Sequence, residues 1–131
     1  MPASSETTVP APSFSFPRAR RLRLKREFAL VFAEGRRARG QHLGLLALTP
    51  EPGCGFKAGV VARKREYRHA VDRNRAKRRM RELLRLNRPG LREDVWLVVR
   101  AFEAVDRAPW PTLQAEFMEL CGRLDIIDDE A

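Results

Sequence analysis

Cysteine, histidine and tyrosine are scarce in this chain: two, two and one among 131 residues. Cys54 and Cys121 form no CxxC pair, and a disulfide framework or a structural metal site needs closer, patterned spacing. His42 and His69 stand far apart, neither at a ligand-like spacing. Carboxylate pairs are missing too. Asp72 and Glu82 are ten residues apart, about 15 Å along a helix, too far to share one metal ion, and Glu93-Asp94 has no third partner. Metal-assisted or acid–base chemistry needs such a cluster, so no catalytic residue and no protein-bound metal are expected. No apolar run approaches the ~20 residues of a membrane-spanning helix, and the N-terminus lacks the charged-then-apolar pattern of a secretory signal. A reduced, cytoplasmic setting without a membrane is expected, and no obligate protein partner is evident.

Negative charge is unevenly supplied. The net charge is +9, from 26 basic and 17 acidic residues. From Glu93 to Ala131 three arginines face ten carboxylates, a net −7, so the preceding residues carry +16. A basic body with an acidic end points to a nucleic-acid partner. With this length, one domain with a core of ordinary density is expected.

Glycine and proline are absent from Ala70 to Leu86, a stretch rich in good helix formers. At 3.6 residues per turn, Ala76, Met80, Leu83 and Leu84 share one face. Asn74, Arg78, Arg81 and Arg85 share the opposite one, with Lys77 at its edge and Glu82 on its flank. Like charges at this spacing repel by a few tenths of a kcal/mol per pair. A solvated charged face is the ordinary reading of such a run. Here, however, the cations begin before the helix, at Arg63, Lys64, Arg65 and Arg68. Cations on a strand end, a loop and a helix start together suit a folded polyphosphate.

Elsewhere the pattern is that of an α+β domain. Residues 1–17 are rich in Ser, Thr, Pro and Ala and read as a flexible tail, with Phe14 and Phe16 in it. A first helix is expected from Lys25 to Glu34, ended by Gly35, with Leu24, Phe28, Val31 and Phe32 on one face. Arg36 to Gly40 reads as an edge strand or loop, and Gln41 to Thr49 and Phe56 to Ala62 as strands around a Pro50–Gly55 turn, expected to form a hairpin. Asp94 to Ala101 is the strongest strand pattern. Strand, long helix and strand imply a parallel crossover, right-handed in about 98% of cases. Pro109 and Pro111 open a last helix near Thr112, with Leu113, Phe117, Leu120 and Leu124 as its core stripe and Glu116 and Glu119 outside it. Residues 125–131 read as an acidic, frayed tail.

The run A-V-D-R-N-R-A-K-R-R-M-R-E, Ala70 to Glu82, resembles the signature of the protein subunit of bacterial ribonuclease P, a pattern close to A-V-x-R-N-R-x-K-R-x-x-R-E. Arg73, Asn74, Arg75, Lys77, Arg78, Arg81 and Glu82 match it. The resemblance extends more loosely over Phe16 to Leu124. Two positions depart: Arg68-His69 stands where the family has a Gly, and Leu46 where it often has an aromatic.

The resemblance implies a single-domain helix–three strands–helix–strand–helix sandwich over residues 18–124. Its β-α-β crossover would be left-handed, against the general rule, as in the second domain of ribosomal protein S5. It implies a subunit that binds a catalytic RNA and the 5′ leader of precursor tRNA. The RNA subunit would hold the Mg²⁺ ions and cut the substrate. Arg63, Lys64, Arg65, Arg68, Arg73, Asn74, Arg75, Lys77, Arg78 and Arg81 would meet RNA. Phe28, Phe32 and Leu46 would line a leader cleft, where aromatic faces can stack on unpaired bases; simple core packing is the other role open to the two phenylalanines. A ribosomal-type RNA scaffold and a major-groove DNA reader also fit a basic helix. The chain shows no helix-turn-helix or dimerisation element to support the latter.

Overall fold

A computed structural model describes residues 25–128. The expected N-terminal tail, Phe14, Phe16 and Leu24 lie outside the described residues. The elements are α1 (Lys25–Glu34), β1 (Arg36–Arg39), β2 (Leu43–Leu48), β3 (Lys57–Ala62), α2 (Ala70–Asn87), β4 (Trp96–Ala101) and α3 (Trp110–Arg123). This is the α+β order read from the sequence. The last helix begins at Trp110, two residues before Thr112. Pro111 sits in its first turn, where a missing N–H costs nothing.

The strand order is β1-β2-β4-β3, which corrects the expected pairing. β2 and β3 form no hairpin with each other. β4 lies between them, antiparallel to β2 and parallel to β3. The physical reason is hydrophobic. Leu97, Val98 and Val99 of β4 are each fully buried, and a strand apolar on both faces belongs at the centre of a covered sheet. The hairpin is β1–β2 instead. The crossover β3-α2-β4 is parallel, as read.

Side chains alternate across the sheet. One face carries Leu43, Leu45, Ala47, Ala58, Ala62, Leu97, Val99 and Ala101, which pack with Ala76, Met80, Leu83 and Leu84 of α2 and with Leu113, Phe117 and Leu120 of α3. Each fully buried Leu or Phe there contributes about 1.5–3 kcal/mol. The other face is covered more thinly: Val31 of α1 packs on Leu46 and Val98, with Phe28, Phe32, Leu48, Val61 and Trp96 half-buried around them. One sheet therefore has a sealed side and a partly open one.

The stretch from Asp125 to Asp128 is pinned, not frayed. Ile126 is buried, Ile127 bridges to Leu91, Arg92 N–H donates to Ile126 O at 2.9 Å and Asp128 N–H to Gly90 O at 2.8 Å. The two isoleucines anchor a segment whose carboxylates dominate its composition.

Candidate nucleic-acid interface

The long helix divides as its periodicity predicts. Ala76, Met80, Leu83 and Leu84 are at most 1% exposed. Asn74, Arg75, Arg78 and Arg81 are exposed on the other side, and Lys64, Arg65 and Arg68 are exposed just before the helix. Arg63, Arg73 and Lys77 are half-buried. Arg73 has a structural use: its Nε–H donates to Ala62 O at 2.7 Å, fastening the helix to the end of β3. Arg85 turns to Glu82 at 2.6 Å, which withdraws the nearest helix carboxylate from the stripe. Burial lowers the Lys77 pKa from its ordinary 10.5, and the guanidiniums of Arg73 and Arg81 add to the effect. Lys77 thus senses the positive potential of its own surface.

The missing glycine is accommodated without strain. His69 caps α2 at φ −101° and ψ 133°, extended backbone that any L-residue adopts. Asp72 lies in the first turn of the helix, where a carboxylate complements the helix dipole.

On the open side of the sheet is a pocket of about 410 Å³, lined by Phe32, Leu46, Gly44 and Phe102 and by the cations Arg37, Arg39, Arg63 and Arg100. Sheet register builds it. Arg39, Gly44 and Arg100 stand in one row across β1, β2 and β4. The Phe102 ring lies over the glycine; a Cβ at position 44 would stand 2.9 Å from it. Both guanidiniums lie over that ring, Arg39 at 4.2 Å and Arg100 at 4.7 Å from its centroid. Phe32 and Leu46 therefore meet at one pocket. Phe28 does not line it; it packs with Val31, Leu46 and Val98.

Arg37, Arg39, Arg100 and Phe102 carry no signal as a group in the sequence. Two weaker signs exist: Arg37 and Arg39 alternate with Ala38, and Arg100 interrupts an apolar strand. Only the insertion of β4 beside β2 brings them together. The histidines lie elsewhere. His42 Nδ1 is 2.9 Å from Glu116 Oε1. Among the described residues, no three His, Cys, Asp or Glu side chains are grouped so as to hold a metal ion, and no helix is long and apolar enough to cross a membrane.

A sequence profile of the family Ribonuclease P matches residues 16–125. The chain belongs to the ribonuclease P protein family. It is 34% identical over 113 residues to the ribonuclease P protein component of Symbiobacterium thermophilum, covering 86% of this chain and 97% of that protein. Against the component from Thermotoga maritima identity is 29%, over 85% and 97% of the two chains. The solved structure of the Thermotoga maritima protein superposes with a TM-score of 0.68 at 27% identity, covering 79% of this chain and 96% of that one. The Staphylococcus aureus RNase P protein has the same fold, with a TM-score of 0.73 at 16% identity, over 85% and 100% of the two chains. Family membership makes this chain a protein subunit of ribonuclease P, a tRNA-processing endoribonuclease, with an RNA subunit as its implied partner. It also decides against the DNA-reader and ribosomal-scaffold alternatives.

Proposed function

We propose that this subunit carries no chemistry itself and assists an RNA that does. The catalytic RNA would hold the Mg²⁺ ions and cleave precursor tRNA at the mature 5′ end, in the cytoplasm. The observation that carries this reading is the α2 face: seven exposed signature and approach residues, from Lys64 to Arg81, six of them cationic. Such a surface neutralises phosphates and releases their counterions on binding. Of the ten residues named from Arg63 to Arg81, Arg73 orients the helix, Arg63 turns to the pocket, and Lys77 with the seven exposed side chains meets the RNA.

The pocket on the opposite side of the sheet would take the single-stranded 5′ leader. Its apolar floor at Phe32 and Leu46 can contact a base or ribose, and its arginines suit the backbone. Because Leu46 replaces an aromatic, stacking there falls mainly to Phe32. Phe28 supports the floor from α1 instead of facing the leader.

The test is reconstitution. The full chain is mixed with a bacterial ribonuclease P RNA and a precursor tRNA at low Mg²⁺, beside each component alone. The expected result is no cleavage by the protein alone, slow cleavage by the RNA alone and restored cleavage by the mixture. At low Mg²⁺ the RNA and its substrate repel each other, and the cationic helix supplies part of the screening. Cleavage by the protein without RNA would overturn the division of labour. Equal binding of mature and leader-bearing tRNA by the complex would remove the leader pocket.

A further inference from the structure

Arg100, in the wall of the cationic pocket, belongs to an ion pair that is poorly made. Glu66 Oε1 stands 3.6 Å from Arg100 Nη2, beyond hydrogen-bond distance, and both side chains are 20% exposed. Glu66 Oε1 and Arg100 Nε are both buried without a hydrogen-bond partner. A pair selected for stability would be closer and bidentate, with its remaining donors and acceptors satisfied. This one leaves an acceptor and a donor idle on the two sides of a single contact.

Its position gives the idle atoms a use. Arg100 lines the cationic pocket. Glu66 lines a neighbouring hollow with Arg65, Arg68 and Arg107. The pair therefore sits at the boundary between a hollow of mixed charge and a pocket whose charged lining residues are all arginines. Arg100 is also held in place independently of Glu66, by the Phe102 ring. The Phe102 carbonyl accepts the buried Tyr67 hydroxyl, and Phe102 N–H donates to His42 O at 2.8 Å. The guanidinium plane is positioned by the ring, and what Glu66 adds is charge.

We propose that Glu66 is a specificity-determining residue: a resident counter-charge that occupies Arg100 until a backbone phosphate of a single-stranded RNA displaces it. This rests on the reading that the pocket takes the leader, and deepens it. Without Glu66, Arg100 would capture any anion that diffused in. With it, a phosphate must compete, and a leader delivered by an already docked tRNA has the effective concentration to do so. Exchange of one anion for another at Arg100 also releases little net counterion, so this contact adds almost nothing to salt dependence in the native chain.

The experiment uses the full chain assembled with a bacterial ribonuclease P RNA. Binding of a leader-bearing precursor tRNA, of the mature tRNA and of a short unstructured RNA is measured over a range of salt. Glu66→Gln is expected to tighten leader-bearing tRNA several-fold and the short RNA by at least as much, leaving mature tRNA unchanged. The salt slope for the leader-bearing substrate should steepen by about 0.7, the value of one added single-strand phosphate contact. In an Arg100→Gln background the same substitution should do nothing. An unchanged or weaker affinity in Glu66→Gln, while the native complex still prefers leader-bearing over mature tRNA, overturns the proposal and leaves the leader pocket standing. Loss of that preference in the native complex overturns both. Should Glu66→Gln fail to fold, Glu66→Asp, which withdraws the carboxylate by one methylene, must also tighten the leader; no gain there refutes the coupling.

Discussion

Glu116 of α3 closes the β1–β2 turn through the backbone of His42. Its Oε2 accepts the N–H of His42 at 2.7 Å and of Leu43 at 2.6 Å, while Oε1 lies 2.9 Å from His42 Nδ1. A Cβ at Gly40 would stand 2.5 Å from the same Oε2, so glycine leaves the space this carboxylate fills. Glu116→Ala strands two part-buried backbone donors and is expected to cost about 2–4 kcal/mol in urea unfolding. Gly40→Ala, which displaces the carboxylate, should destabilise in the same direction. A loss below 0.5 kcal/mol, the ordinary range for a surface change, would show that the turn holds itself.

Tyr67 ties the approach to α2 to the segment that follows β4. Its hydroxyl donates to Phe102 O and accepts Val105 N–H at 3.1 Å. Burial pushes its pKa from 10.0 up to about 12. A phenol raised in the fold contributes stability that is fully present below its unfolded value near 10 and lost as pH rises toward 12. The full loss is about 3 kcal/mol. Unfolding free energies across that window should fall in the native chain. In Tyr67→Phe they should start lower, by about 1–3 kcal/mol for the stranded amide and carbonyl, and show a correspondingly shallower fall.

Much of this arrangement is legible in the residues themselves. The α2 faces follow from 3.6-residue periodicity because Ala76, Met80, Leu83 and Leu84 leave one way to bury the helix. α1 ends at Gly35 as its sequence indicates. Strand order is less accessible. Local patterns find β2, β3 and β4, but which two flank the third depends on the burial of whole faces. The six-residue turn at Pro50–Gly55 favours a β2–β3 hairpin, and that expectation fails because β4 is the strand that needs cover on both sides. The arginine pocket is hidden for the same reason: Arg39 and Arg100 are 61 positions apart and become neighbours of Gly44 only through that order. Glu116 falls outside the core stripe of α3, and two of its three partners are backbone amides, which leave no mark in sequence.

Lys77 should report RNA binding as a proton. Its pKa is lowered by burial first and by Arg73 and Arg81 second. In the free protein the lowered pKa means that stability is gained as pH rises through it toward 10.5. A phosphate beside Lys77 reverses the balance and favours the charged form. RNA binding should therefore take up protons at alkaline pH, and affinity should fall as pH rises through the lowered pKa. Lys77→Met is expected to bind more weakly near neutral pH and to flatten that alkaline fall, measured by titration in buffers of different ionisation enthalpy. An unchanged pH dependence in Lys77→Met would place Lys77 outside the interface.

Arg78 and Arg81 are the clearest candidates for direct phosphate contact, because both are exposed and neither makes an ion pair within the described residues. The slope of log K against log salt counts the phosphates neutralised, at about −0.7 to −0.9 per contact. Five to eight contacts across the basic face correspond to a slope of roughly −4 to −6. Replacing both arginines by glutamine should reduce its magnitude by about 1.5 and weaken binding most at low salt. The thermal midpoint should hold or rise slightly, because like-charge repulsion along the stripe is relieved. That combination separates an interface from a structural role: Arg73→Gln, which breaks the bond to Ala62 O, should lower the midpoint. A flat salt response in the native protein would mean that the cationic stripe is solvated surface and would remove the phosphate-contact reading of the basic face altogether.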